Sequence, residues 1–345
     1  MRLLFFTFND AGKPYEVSNH LIWSQHYSLG MRKLPPVVRI EPAASCNLRC
    51  LHCPTGLDAT PKGVMDLEIF ELILSELGKY GDLVNTVVLY HGGEPLLNPS
   101  LDYMIRSISN TSVKKIKMVT NGRILTSEKS KMLLATGLNE VEISLDSVGP
   151  EESDSVRRRS NAAETIQNIE ELIALKKSYR SNLLISISST QFVDDYEIES
   201  LSGLTPAPEP TWLRERFVDL PIKSTWAIQW PGKLPLNNAV KFSGNVPKPP
   251  STCSLLNETV TVRSNGDVVV CCYDLVGMSH MGNVRHSSLS EIWNSQTYSD
   301  FRKSFAEANY PEPCKSCSVV TGPQYLGRRE TINDLNLGLN QLGAN

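Results

Sequence analysis

Cys46, Cys50 and Cys53 stand within eight residues, in the stretch CNLRCLHC, at the spacing C-x3-C-x2-C. Any fold this chain adopts must accommodate a loop that brings three thiols together. Three ligands are one short of the four nitrogen or sulfur atoms that close a structural zinc site. Three thiolates suit a 4Fe–4S cube with one iron left open, because cubes are normally held by four cysteines. An iron without a protein ligand can take up a small molecule. The other five cysteines are Cys253, Cys271, Cys272, Cys314 and Cys317, and none falls between Cys53 and Cys253. Eight cysteines would be a disulfide framework in a short secreted chain. In 345 residues, clustered like this, they read as metal ligands.

The rest of the composition is ordinary for a soluble globular protein, with 41% hydrophobic and 21% charged residues. Lys and Arg number 34 against 37 Asp and Glu, a formal net charge of −3. A duplex nucleic-acid binder usually carries a basic surface, so nucleic acid is not expected as a partner. No apolar run approaches the length that crosses a bilayer, which excludes a membrane partner of that kind. The apolar start from Leu3 to Phe8 is too short for a secretory signal, and no A-x-A-like site follows. These features predict a cytoplasmic protein.

Strand and helix patterns alternate after Pro35-Pro36. Strands are expected over 37–41, 84–90, 113–120, 140–146 and 183–189, with a sixth inside 217–230. Helices are expected from Leu67, with Asp66 as N-cap, and over 100–110, 127–135 and 161–179. Repeated strand–helix pairs imply a parallel sheet. About six units fit a partial (β/α)6 barrel, and the pattern stops too early for eight. Prolines then recur through 205–250. Asn265-Gly266 marks a hairpin between 259–263 and 268–273, and 289–305 reads as one helix. The expected organisation is an N-terminal arm (1–36), a core barrel (37–204), a Pro-rich connection with the last barrel unit (205–250), a small α/β segment of hairpin and helix (251–325), and a polar tail (326–345).

The cysteine loop after the first strand, Gly92-Gly93-Glu94-Pro95 after the second, Thr120-Asn121-Gly122 after the third and Ser144-Leu145-Asp146 after the fourth together resemble the radical S-adenosylmethionine (SAM) superfamily. Ligands in β/α folds sit at such strand C-termini. The resemblance implies that Cys46, Cys50 and Cys53 hold a SAM-binding 4Fe–4S cluster, and that Gly92, Gly93, Glu94 and Pro95 hold the methionine amino group of SAM. It implies Ser144 or Asn121 at the ribose, in a site that includes Asp146, and Arg157 or its neighbours Arg158 and Arg159 at the carboxylate. Cluster and SAM would generate a 5′-deoxyadenosyl radical that removes hydrogen from an unreactive C–H bond. The electron would come from a reductant such as flavodoxin or ferredoxin. His52, between two ligands, is read as packing on the cluster.

The stretch NGDVVVCCYD, Gly282–Val284, SLSEIWNS and the closing C-x2-C resemble the SPASM or twitch extension of that superfamily. Full SPASM domains use more cysteines for two auxiliary clusters. Here the resemblance implies one auxiliary 4Fe–4S cluster on Cys253, Cys271, Cys314 and Cys317. Four thiolates also suit structural zinc, and spacing does not separate the two. Successive strand residues face opposite ways, so Cys271 and Cys272 cannot both be ligands. Cys271, five residues after the turn glycine, is the expected one. Cys272 is then a small buried hydrophobe, the ligand in place of Cys271, or a hydrogen-atom donor to a substrate radical.

Three functions follow. The first is a radical SAM oxidoreductase that oxidises a carbohydrate-like or peptide natural product through the auxiliary cluster. The second is a redox-neutral epimerase using Cys272. The third is a non-catalytic iron–sulfur or zinc scaffold. Trp212, Trp226, Trp230 and Tyr273 could line a substrate pocket or simply pack.

Overall fold

The structure is a computed structural model that describes residues 6–8, 14–16, 33–56, 60, 62–146, 149–191, 197–198, 207, 209–227, 230, 241–242 and 251–317. The end of the Pro-rich connection (243–250) and the polar tail lie outside the described residues, as does the side chain of Trp226. Two short strands, Phe6–Phe8 (β1) and Pro14–Glu16 (β2), pair antiparallel. They belong to a separate unit, Met1–Lys33. Everything described below belongs to the second unit, Leu34–Asn345.

That unit is built on Val37–Ile40 (β3), a run of Val and Ile around one Arg, buried at every position. The cysteine loop follows, containing the short strand Arg49–Cys50 (β4). Leu67–Tyr80 (α1) begins at Asp66, which holds the N-cap position without a side-chain capping bond. Next come Thr86–Leu89 (β5), Leu101–Ser109 (α2), Lys115–Thr120 (β6), Ser127–Leu134 (α3) and Glu140–Ser144 (β7). Then follow Pro150–Val156 (α4), Arg157–Arg158 (β8), Ala162–Tyr179 (α5) and Leu184–Gln191 (β9). Glu197–Ile198 (β10), Thr211–Arg216 (α6), Ile222–Trp226 (β11) and Lys241–Phe242 (β12) complete this part. Six strands lie parallel in the order β11-β9-β7-β6-β5-β3, with helices between them. This is the six-unit α/β core that the alternating pattern implies.

The two faces of the sheet differ. Ile116 and Met118 of β6, like Val141 and Ile143 of β7, belong to the apolar core. The alternate residues are polar. Lys117 Nζ lies 2.7 Å from Glu142 and 3.1 Å from Glu140, and Lys115 Nζ lies 2.5 Å from Glu140. All four side chains are buried, which charged groups tolerate only when paired.

The C-terminal segment does not stand apart. Ser254–Glu258 (α7) leads into Thr259–Val262 (β13), which pairs parallel with β3, Val37 opposite Thr259. Asp267–Val269 (β14) returns antiparallel, and Gly282–Asn283 (β15) adds a ninth strand to the same sheet. The helix expected over 289–305 is in fact two, Leu289–Trp293 (α8) and Gln296–Ala306 (α9). The break has a local cause: Ser295 is extended, and its side chain accepts from the N–H of Tyr298 to start a new helix. At the start of α8, Ser288 and Glu291 form a reciprocal capping box.

Glu76, buried on α1, accepts 3.1 Å from the N–H of Ser290 and pairs with Lys79, fastening α1 to α8. Glu76→Ala should lower stability by about 1.5–3 kcal/mol, the worth of a hydrogen bond to a charged group. Denaturant unfolding of both proteins measures it.

Candidate active site

The cysteine loop is shaped by close backbone packing. A side chain on Gly56 would put its Cβ 2.4 Å from the Cys50 carbonyl oxygen and 2.6 Å from the Cys50 nitrogen. Only glycine lets the loop close behind Cys50. Cys50 also lies in the β4–β8 ribbon, opposite Arg157. Cys46 Sγ accepts from the Leu48 N–H at 3.4 Å and from Asn121 Nδ2 at 3.8 Å. Burial above all, with a smaller contribution from Cys53, pushes the Cys46 thiol up to about 11 and the Cys50 thiol up to about 12.

Gly92-Gly93-Glu94-Pro95 packs directly on this loop. A Cβ on Gly93 would stand 2.3 Å from the carbonyl oxygens of both Ala43 and Ser45. The Glu94 N–H donates to Ser45 O at 2.9 Å. The Glu94 side chain is buried and heavily engaged. It accepts from Thr120 Oγ1 at 2.7 Å, the Asn121 N–H at 2.8 Å and the Leu96 N–H at 3.0 Å. Burial pushes its carboxyl up against the pull of these donors. Glu94 thus ties the turn after β5 to the end of β6. Gly92, Gly93 and Glu94 line the cavity; Pro95 is buried beside it and does not.

Glu41, at the end of β3, was not singled out by any motif. Its Oε1 meets His91 Nδ1 at 3.0 Å and accepts from the Gly92 N–H at 2.9 Å. Its Oε2 accepts from the Ser264 N–H at 2.9 Å. Burial would raise this carboxyl, but the His91 contact, the Ser264 N–H and Arg263 hold it at about 2.

On the far side, the β4–β8 ribbon resolves the run of three arginines. Arg157 points inward and is buried, whereas Arg158 and Arg159 are exposed. Arg157 Nε donates to Asp146 at 2.6 Å. Burial disfavours both charges, yet each holds the other ionised: Arg157 is driven up by Asp146 and Cys50, and Asp146 well below the carboxylate range by Arg157 and His52. Asp146 also accepts the Thr190 N–H at 2.8 Å and sits 3.3 Å from His52 Nε2. Asp146 therefore aims Arg157 and His52 without lining the cavity itself. Asn121, Ser144, Arg157 and His52 do line it.

The second cysteine group gathers on the C-terminal segment. Burial raises Cys271 well above the ordinary thiol range, and Cys272, Cys317, Cys314 and Cys253 add to it. Burial raises Cys314 likewise, with Cys317 and Cys253 next. The sulfur of Cys271 also accepts from the Tyr273 N–H at 3.4 Å. Cys272 lines the cavity, with Cys253 and Tyr273. Trp230 bridges the two cysteine regions: its Nε1 donates 2.6 Å to His52 O, and its ring lies 5.5 Å from that of Tyr273. Trp212 packs on the core instead.

These groups surround a cavity of about 290 Å³. None of the eight cysteines is in a disulfide. Among the described residues, no three His, Cys, Asp or Glu side chains converge as a single metal ion requires. Three thiols in one group and four in the other are donor sets that 4Fe–4S cubes take, the first leaving one iron without a protein ligand.

A parallel β/α sheet with three such thiols at its first strand end, and a second thiol group lining the same cavity, has the donor set of an iron–sulfur protein. The family model described as "Radical SAM superfamily" matches residues 40–190, and that of the SPASM "Iron-sulfur cluster-binding domain" matches 253–318. The chain belongs to the radical SAM superfamily and carries a SPASM-type C-terminal domain, an arrangement that uses 4Fe–4S clusters and SAM. It is 25% identical over 321 residues to the tungsten-containing aldehyde ferredoxin oxidoreductase cofactor-modifying protein of Pyrococcus furiosus, covering 81% of this chain and 86% of that one. It is 27% identical over 198 residues to a GTP 3′,8-cyclase of Desulforamulus reducens, covering 55% of this chain but only 58% of the cyclase. Among solved structures, Streptococcus suis SuiB bound to S-adenosylmethionine shares the fold at a TM-score of 0.58 and 14% identity, covering 87% of this chain and 74% of SuiB. BtrN in complex with AdoMet and 2-DOIA matches at 0.50 and 18% identity, covering 85% and 94%. Among the described residues no helix is long and apolar enough to cross a membrane.

Two predictions follow from the packing. Gly56→Ala should displace Cys50, so that anaerobically reconstituted protein falls from about eight irons to about four, one cube of four being lost. Iron analysis checks this. Glu41→Ala should cost about 3–5 kcal/mol near neutrality, as for other broken buried pairs. Because folding lowers the Glu41 pKa from 4.5 to about 2, its contribution is full above pH 4.5 and is lost as the pH falls toward 2. The stability gap between the two proteins should close over that range in denaturant melts.

Proposed function

We propose that this protein is a radical SAM oxidoreductase that removes hydrogen from a small-molecule or peptide substrate and passes the second electron to the auxiliary cluster. One observation carries the reading: a single cavity is lined both by the first cluster's surroundings and by Cys253 and Cys272 of the second group. A substrate in that cavity would touch both ends of an oxidation. The first cluster and SAM, when bound, supply the radical that abstracts the hydrogen atom.

The chain's own residues position and enclose. The backbone at Gly92 and Gly93 receives the amino group of SAM, Arg157 its carboxylate, and Ser144 and Asn121 the ribose. Asp146 keeps Arg157 charged and pointed inward. Trp230 and Tyr273 close the wall between the two cysteine groups and shield the reacting atoms from water. Cys253, Cys271, Cys314 and Cys317 hold the auxiliary cluster. A flavodoxin or ferredoxin supplies the initiating electron. In net terms, the substrate loses one hydrogen atom, one electron and one proton.

A second reading is favoured by the place of Cys272. A thiol that lines the cavity could return a hydrogen atom to the opposite face of a substrate radical, giving epimerisation without net oxidation. Mass spectrometry of the product formed in heavy water separates the two. Loss of two hydrogens without deuterium uptake is the expected result, and Cys272→Ala should then remain active. Deuterium at the reacting carbon, together with loss of turnover in Cys272→Ala, would establish the epimerase instead. Absence of SAM cleavage by fully loaded, reduced protein would leave only a scaffold.

A further inference from the structure

Tyr298 has a buried polar group that the site so far described does not use. Ser295 caps the first turn of α9 by accepting from the Tyr298 N–H at 3.2 Å. The ring is then held on two sides. The Trp293 ring lies 4.9 Å away, edge to face, and the Arg302 guanidinium stacks 4.0 Å over Trp293 and 4.1 Å over Tyr298. Arg302 Nη1 is itself anchored on the Trp293 carbonyl at 3.1 Å. Tyr298 is completely buried, yet its phenol oxygen has no hydrogen-bond partner. An orphaned hydroxyl costs about 1–3 kcal/mol, and native proteins rarely leave one. The ring shares its core with Cys271, Cys314 and Cys317. The phenol is also near enough to Cys271 to feel the charge of that sulfur.

We propose that the Tyr298 hydroxyl donates its hydrogen bond to a sulfur of the auxiliary cluster on the Cys271 side, and thereby raises that cluster's reduction potential. The inference rests on the reading that Cys253, Cys271, Cys314 and Cys317 hold a cube. Thiolate and sulfide are negatively charged acceptors, and a hydrogen bond to a charged acceptor is stronger than a neutral one. The stacked Arg302 places positive charge beside the phenol and makes it a better donor. A donor aimed at the cluster favours its more negative, reduced form, and hydrogen bonds to the sulfurs are among the levers that set such potentials. Tyr298 is thus a tuning residue, touching neither SAM nor substrate. It makes the auxiliary cluster a readier acceptor for the electron left on a substrate radical.

The test uses anaerobically reconstituted holoenzyme and an EPR-monitored redox titration. In Tyr298→Phe the auxiliary midpoint should move to more negative potential by about a tenfold change in the reduction equilibrium, 59 mV for a one-electron couple, with the first cluster unmoved. Site-specific 3-fluorotyrosine at position 298, a stronger donor of nearly the same shape, should shift it the opposite way. After exchange into heavy water, ENDOR of the reduced auxiliary cluster should show an exchangeable deuteron that is lost in Tyr298→Phe. Equal potentials in two-cluster proteins overturn the hydrogen bond and leave the cluster reading intact. Failure of Tyr298→Phe to load the second cluster, with 3-fluorotyrosine leaving the potential unchanged, also overturns it, because the residue then serves assembly alone. Wild-type protein that takes up only the first cube overturns the cluster reading and this inference together.

Discussion

One buried carboxylate joins the ends of three neighbouring strands. Glu41 closes β3, accepts from His91 and Gly92 beyond β5, and accepts from Ser264 beyond β13. Those three strand ends carry, in turn, the cysteine loop, the glycine-rich turn and the hairpin of the second thiol group. A charge this deep is stable only because three partners face it. With Glu41 in place, the loop that bears Cys46 begins from a fixed point, and the backbone around Gly93 can press against it. Glu41 therefore ties the segments that lead into both cysteine regions to neighbouring strands of one sheet.

The inner face of that sheet is polar by construction. Lysine and glutamate alternate with apolar residues on β6 and β7, so each strand is amphipathic although neither face meets bulk water. The apolar half packs on the helices, and the charged half pairs across strands. At the open end the same inward positions become Glu142, Ser144, Ser188 and Thr190, which line the cavity. A substrate there meets hydroxyls and charges rather than a greasy slot. The Trp230–Tyr273 wall supplies the main aromatic surface.

Much of this was legible in the residues. Cysteine spacing marked both thiol groups, because ligand geometry constrains local sequence tightly. Periodicity marks five of the core strands, since a parallel sheet covered by helices repeats a simple pattern, but it is weak over 217–230, where the sixth, Ile222–Trp226, lies. Three kinds of feature were not legible. The first is facing: Arg157, Arg158 and Arg159 are equivalent in sequence, and only the β4–β8 ribbon turns the first inward. The second is the long-range partner. Nothing around Thr259–Val262 says that it will pair with Val37–Ile40, more than two hundred residues earlier, so the hairpin looked like a separate body. The third is the lone brace. Glu41 belongs to no motif and reads as an ordinary polar residue ending a strand. The division of the last helix is hidden for a smaller reason: Ser295 is a possible cap, but the apolar spacing on either side runs on across it.

The parallel pairing of β13 with β3 bears on how such a chain could have been assembled or can be recut. An accessory module attached by a tether can be lost or exchanged without harm to its host. Here removal of residues after 250 would strip Val37–Ile40 of its neighbour and leave a bare hydrophobic edge, the kind of surface that recruits other chains into aggregates. The C-terminal segment therefore doubles as a guard for the barrel's first strand. Any graft of it onto another core must carry a compatible strand register along with the cysteines.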